Sequence, residues 1–183
     1  MTALAPIPAL ADERGELLRW AQQGDHDAFA ALIEEHEGMV FSIARNFFDD
    51  RTRAEEIAQD VFLQLYRCLG ELESAAHVTF WLRQVTSRKC IDVTRRARFR
   101  AVVALDDAPP LAVPAAMGDP LFERRVREQI AALPEMQRLI LTLRYQEDLD
   151  PSDICRIVGK PVNTVKSILH RALQSLRETL GES

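Results

Sequence analysis

The chain has 183 residues, a formal net charge of −5, and 47% hydrophobic residues. That is enough apolar material for one medium domain or two small ones. The net acidity excludes a uniformly basic nucleic-acid binder. β-branched and aromatic alternation is scarce and three- and four-residue apolar spacing is everywhere, so an all-α class is expected.

Residues 1–11, MTALAPIPALA, hold two prolines and no basic segment. They read as a disordered start and make a poor signal peptide. A first helix is expected from about Asp12 to Gln23, stopped by Gly24. A second starts at a cap residue, Asp25, and runs to Phe48, with a break expected at Gly38. A third covers roughly Thr52 to Leu69, striped by Ile57, Val61, Phe62 and Leu65. Glu71–His77 reads as a loop, and a fourth helix runs from about Val78 to Arg98. Residues 101–118 hold three prolines and no basic residue, a composition suited to a semi-flexible tether, and the linker is set at 99–118. Helices resume at about Asp119–Leu133, Glu135–Gln146, Ser152–Val158 and Val162–Leu180. Pro134 and Pro151 suit helix starts. Two small helical domains, 12–98 and 119–183, are therefore expected on either side of a proline-rich linker.

Charge is distributed unevenly. Arg88, Lys89, Arg95, Arg96, Arg98 and Arg100 face the single acid Asp92 within thirteen residues, and no acid lies between Arg156 and Arg177. Such segregation suits one face for an anionic polymer and another for a protein partner. The three cysteines, Cys68, Cys90 and Cys155, are far apart and form no CxxC pair, so buried free thiols in a reducing cytosol are expected. No P-loop, metal cluster or nucleophile constellation is recognisable, so neither a cofactor, a metal site nor an enzyme is expected. No apolar run is long enough for membrane insertion, and a cytoplasmic location is expected.

Residues 150–177 carry the most information. They read as a short helix, a turn at Gly159, and a longer helix that opens after Pro161. Val162, Val165, Leu169, Ala172, Leu173 and Leu176 share one stripe of the second helix. Asn163, Lys166, Ser167, His170, Arg171 and Gln174 share the other. Those side chains suit base edges and phosphates in a major groove. The pattern fits a DNA-binding helix-turn-helix, and it also fits an amphipathic hairpin with a solvated polar face.

Two segments taken together are more specific. AEEIAQDVFLQLYRCL (54–69) is followed by TFWLRQVTSRKCIDVTRRAR (79–98), and ALPEMQRLILTLRYQEDLDPSDICRIVGKPVNTVKSILHRALQSLRETL spans 132–180. In this order and spacing the chain resembles the extracytoplasmic-function sigma factors over about residues 16–180. The resemblance implies an alternative sigma factor, active through core RNA polymerase. A region 2-like domain would bind the polymerase clamp helices and would capture and melt the −10 element. A region 4-like helix-turn-helix domain would bind the −35 element and touch the polymerase flap. An anti-sigma protein is a further implied partner.

Residue by residue, the resemblance assigns Gln59 and Asp60 to the polymerase contact, with Glu56 and Gln64 on the same outward side and Leu63 as its apolar anchor. Glu73, Ser74 and His77 would line the pocket for a flipped −10 base, and Trp81 offers a stacking face. Arg88, Lys89, Arg95 and Arg96 would meet −10 phosphates. Asn163, Thr164, Lys166, Ser167, His170 and Arg171 would face −35 DNA. The chain departs from the family where Thr86, Ser87 and Arg88 replace a common Ala-Arg-Asn, and where Ile168 replaces a frequent arginine. Two competing readings are a stand-alone helix-turn-helix regulator and a sigma-like protein-interaction module. The 54–98 motifs argue against the first. The retained Lys166, Arg171 and 88–100 cations argue against the second.

Overall fold

The computed structural model describes residues 8–48, 50–101 and 120–181. Eight α-helices and one 3-10 turn make up the described residues, with no strand among them. The helices are α1 (Pro8–Gln22), α2 (His26–Phe48), α3 (Arg51–Cys68), α4 (Ala75–Ala101), α5 (Pro120–Ala132), α6 (Glu135–Tyr145), α7 (Pro151–Val158) and α8 (Val162–Gly181). The 3-10 turn, Leu69–Glu71, follows α3. Most of the expected disordered start and linker lies outside the described residues. α1 begins four residues before the expected Asp12, and α4 continues past Arg98.

Local chemistry sets the helix boundaries. Asp25 Oδ1 accepts from the amides of Asp27 and Ala28 at 2.9 and 3.0 Å, which caps α2. Gly24, at φ +92°, makes the turn that feeds it. Asp50 caps α3 through the Arg53 amide. α2 runs unbroken through Gly38, where a break was expected. Its buried face, Leu32, His36, Val40, Ile43 and Phe47, is continuous across that position, and packing outweighs the roughly 1 kcal/mol helix cost of a glycine. The expected loop at Glu71–His77 is shorter in the structure. Ser74 Oγ accepts from the His77 amide at 3.1 Å, so α4 starts at Ala75 and His77 sits in its first turn.

α2 is the central helix of the first unit, α1 to α4. Its inner face meets Leu18 and Ala21 of α1, Ala54, Ile57, Val61 and Leu65 of α3, and Val78, Leu82 and Val85 of α4. His36 is buried, with Nδ1 2.9 Å from the Leu32 carbonyl and Nε2 3.0 Å from Thr79 Oγ1, so both ring nitrogens are satisfied. In the second unit, α5 to α8, the run Leu139–Leu143 of α6 is buried at every position. Five consecutive buried residues cover every side of a helix, so this stretch of α6, with Thr142 its one polar member, is enclosed by neighbouring elements. Leu139, Ile140 and Leu143 join the large core, while Leu141 packs with Leu133 and Ala172 in a smaller cluster.

Candidate nucleic-acid interface

α7, the turn and α8 form the helix-turn-helix. Asp150 accepts from the Ser152 and Asp153 amides at 2.8 and 2.9 Å, and Pro151 occupies the first turn. Gly159 closes α7 at φ +66°, with its amide on the Cys155 carbonyl at 2.9 Å. Ile154 and Ile157 of α7 and Val165 of α8 are buried, which fixes the rotation of α8. Asn163, Thr164, Lys166, Ser167, His170 and Arg171 are all exposed on its outer face. Ser167 Oγ donates to the Asn163 carbonyl at 2.8 Å, so its hydroxyl keeps acceptor capacity only. Ile168 is half-buried against the core, not on the DNA-compatible face.

The Ser152 hydroxyl and the Asp153 amide both donate to Asp150 and hold its carboxyl below the usual carboxylate range. A depressed folded value means that the cap stabilises the helix-turn-helix above about pH 4 and is lost as the pH falls through the folded value. Asp150→Ala is expected to lower the melting temperature of the second unit at pH 7, and Asp150→Asn to restore part of it. Melts followed by circular dichroism at pH 7 and pH 3 check this: the wild-type advantage shrinks at pH 3.

On α4, Arg88, Arg95 and Arg96 are exposed. Arg95 lies 3.5 Å from Asp92. Trp81 is half-buried and packs on the core, leaving one part accessible. Thr86 and Ser87 are fully buried, and Thr86 Oγ1 donates to the Leu82 carbonyl at 2.6 Å. Two of the three positions that depart from the family pattern therefore face inward, and only Arg88 reaches the surface. Glu73, Ser74 and His77 are exposed within one turn, and the Glu73 amide donates to His77 Nδ1 at 3.3 Å.

α3 presents Glu56, Gln59, Asp60, Leu63 and Gln64 to solvent, with Leu63 53% exposed. Sequence reasoning missed Tyr66, which is 56% exposed and packs edge-on against Phe29 with ring centroids 5.2 Å apart. Its spacing of three from Leu63 and seven from Gln59 was the available signal. Beside this face a groove of about 550 Å³ is lined by Ile33, Phe41, Gln59 and Phe62 among others. Lys89 Nζ reaches Asp60 Oδ2 at 3.0 Å, so α4's cationic face and α3's outward face adjoin.

Among the described residues no cluster of His, Cys, Asp and Glu is arranged to hold a metal ion, and no helix is long and apolar enough to cross a membrane. Cys68, Cys90 and Cys155 are free, but only Cys90 is buried, where burial pushes its thiol up to about 12; Cys68 and Cys155, also expected to be buried, are only half-buried.

Comparison with known proteins agrees with this geometry. The Sigma-70 region 2 family matches residues 32–100, and the Sigma-70 region 4 family matches residues 123–176. The SigW sigma factor of Bacillus subtilis is 23% identical, covering 90% of this chain and 95% of its own length. SigK of Mycobacterium tuberculosis is 28% identical, covering 96% and 98%. The chain belongs to the extracytoplasmic-function sigma factors. Solved relatives share the fold of this sigma factor. CnrH, in complex with the cytosolic domain of CnrY, superposes with a TM-score of 0.66 at 20% identity over 93% of this chain and 98% of its own. RpoE of Bartonella quintana, in complex with the anti-sigma factor NepR, gives 0.71 at 21% identity over 84% and 96%. As a sigma factor the chain directs transcription initiation through RNA polymerase.

Proposed function

We propose that this sigma factor reads a bipartite promoter, with one unit assigned to each element. The second unit holds −35 duplex with α8, where Lys166, Ser167, His170 and Arg171 meet base edges and phosphates. In the first unit the Glu73–His77 turn takes a flipped −10 base, Trp81 offers it a stacking surface, and Arg88, Lys89, Arg95 and Arg96 hold the backbone. Unstacking a base costs a few kcal/mol, so the pocket must return contacts to its face and edge. α3 docks core polymerase through Gln59, Asp60 and Leu63, and the polymerase supplies all the chemistry. A second contact, to the polymerase flap, falls to the second unit. An anti-sigma protein is the expected regulator, and the cytoplasm the expected location.

The observation that carries this reading is the recognition face of α8. It is exposed and acid-free on a chain of net charge −5, and its partner unit bears a second cationic face beside Asp60. Cations gathered on an acid-free face of an acidic protein suit contact with phosphate. In vitro transcription with core polymerase and a promoter library tests the proposal. Promoter-specific initiation dependent on both elements is expected, and its absence rejects the assignment.

A further inference from the structure

The turn Glu73–His77 is flanked by two buried residues, Leu72 before it and Val78 after it. Apolar burial is non-directional, so it fixes where the chain enters and leaves the turn, not which way the backbone groups point. Direction comes from hydrogen bonds, and other helices send one set to each flank.

On the entry side stands Gln22, the last residue of α1. Its side-chain amide donates to the Leu69 carbonyl at 2.9 Å and to the Leu72 carbonyl at 2.8 Å. Both neighbours only accept, so the orientation of the amide is dictated and both of its hydrogens are used. The two carbonyls lie 47 and 50 residues from Gln22 and bracket the 3-10 turn Leu69–Glu71. Carbonyls at the end of a helix lack partners within it, and at a solvated end water can serve them. Here a single exposed side chain gathers the two that lead into the turn.

On the exit side stands His36, buried on α2. Its Nδ1 faces the Leu32 carbonyl, which only accepts, so Nδ1 carries a hydrogen. Its Nε2 lies 3.0 Å from Thr79 Oγ1, and that oxygen is 3.1 Å from the carbonyl of Ala75, the first residue of α4. The ring is thereby fastened to the opening turn of α4, which carries His77.

We infer that Gln22 and the His36–Thr79 pair are positioning residues for the −10 turn. They hold its flanks so that Glu73, Ser74 and His77 present one fixed outline to a flipped base. The assignment rests on the reading of Glu73–His77 as the base pocket. Polar groups discriminate well when they are held to about 0.5 Å by the residues behind them. Without these bonds the turn stays anchored on Leu72 and Val78 and loses that definition.

Holoenzyme, rebuilt from the full chain and core polymerase, tests this on a single-stranded −10 oligonucleotide of a promoter selected in the transcription assay. An abasic sugar replaces each nucleotide in turn. For wild type, one position is expected to cost about tenfold or more in affinity, since a stacked base contributes roughly 5- to 150-fold. Gln22→Met and Thr79→Val keep size and remove the bonds. Each is expected to shrink that one ratio to about threefold or less, with the other positions and core affinity unchanged, because misplaced groups no longer meet the base. Thr79→Ser keeps the hydroxyl and should keep the ratio. A purely structural role would weaken every oligonucleotide alike. Uniform weakening with the ratio intact, or a wild-type ratio in both folded variants, overturns the positioning role. Should Thr79→Val lose its helicity, Gln22→Met, at an exposed position, decides on the same criterion. A wild type with no sensitive position rejects the base-pocket reading itself, and the positioning role with it.

Discussion

Arg171→Ala is expected to weaken binding to −35 duplex by about 5- to 150-fold while leaving core-polymerase affinity unchanged. The range is the roughly 1–3 kcal/mol that a bidentate arginine contact contributes at a guanine edge. Arg171 is exposed on α8, and its neighbour Ala172 is fully buried, so packing aims the guanidinium outward. Removing it disturbs no core contact, and the fold should keep its stability. The form of the loss separates two roles. If Arg171 reads a base, the loss is confined to cognate duplex, and Arg171→Lys does not restore it, because an ammonium cannot make the two-pronged contact. If it holds a phosphate, every duplex loses equally and the salt dependence falls by about one charge. Titrations on cognate and scrambled duplex at several salt concentrations distinguish them. An equal loss of polymerase affinity would contradict the assignment.

The helix-turn-helix was readable because its signals are local. Asp150, Pro151, Gly159 and Pro161 act through neighbouring backbone groups, and the stripe from Val162 to Leu176 repeats at helical spacing. What escaped the sequence depends on distant partners. Gly38 looked like a break because glycine is a poor helix former, yet Val40 and Ile43 just beyond it are fully buried in the core. Thr86 and Ser87 were legible only as departures from the family pattern, and the packing of α4 on α2 buries both. The spacing of Tyr66 from Leu63 and Gln59 placed it on the outward face of α3, but its edge-on contact with Phe29 of another helix is not encoded locally. The contacts of Gln146 and Glu147 with Ser42, Asn46 and Arg83 span 64 to 104 residues, and no local pattern encodes them.

The second large effect is at the other interface. Asp60→Lys is expected to weaken core-polymerase binding by tenfold or more, about 1.4 kcal/mol or above. Asp60 is 64% exposed and pairs with Lys89 at 3.0 Å. An exposed ion pair of this kind contributes only about 0–1 kcal/mol to folding, so stability is not where the substitution acts. The internal pair complicates the readout, since a lysine at 60 also repels Lys89. The swap D60K/K89D resolves this by rebuilding the pair with its polarity reversed. If Asp60 meets polymerase itself, the swap leaves affinity low, because the partner still faces the wrong charge. If affinity recovers, polymerase reads neither charge, and the pair of residues 60 and 89 is a positioning contact that holds α3 and α4 in register. Asp60→Asn gives a third point. It keeps a hydrogen-bond acceptor for Lys89 and drops the charge, so it should fall between wild type and Asp60→Lys. Unchanged affinity across all three variants removes Asp60 from the interface and leaves the apolar pair of Leu63 and Tyr66 as the part of α3 that polymerase would have to grip.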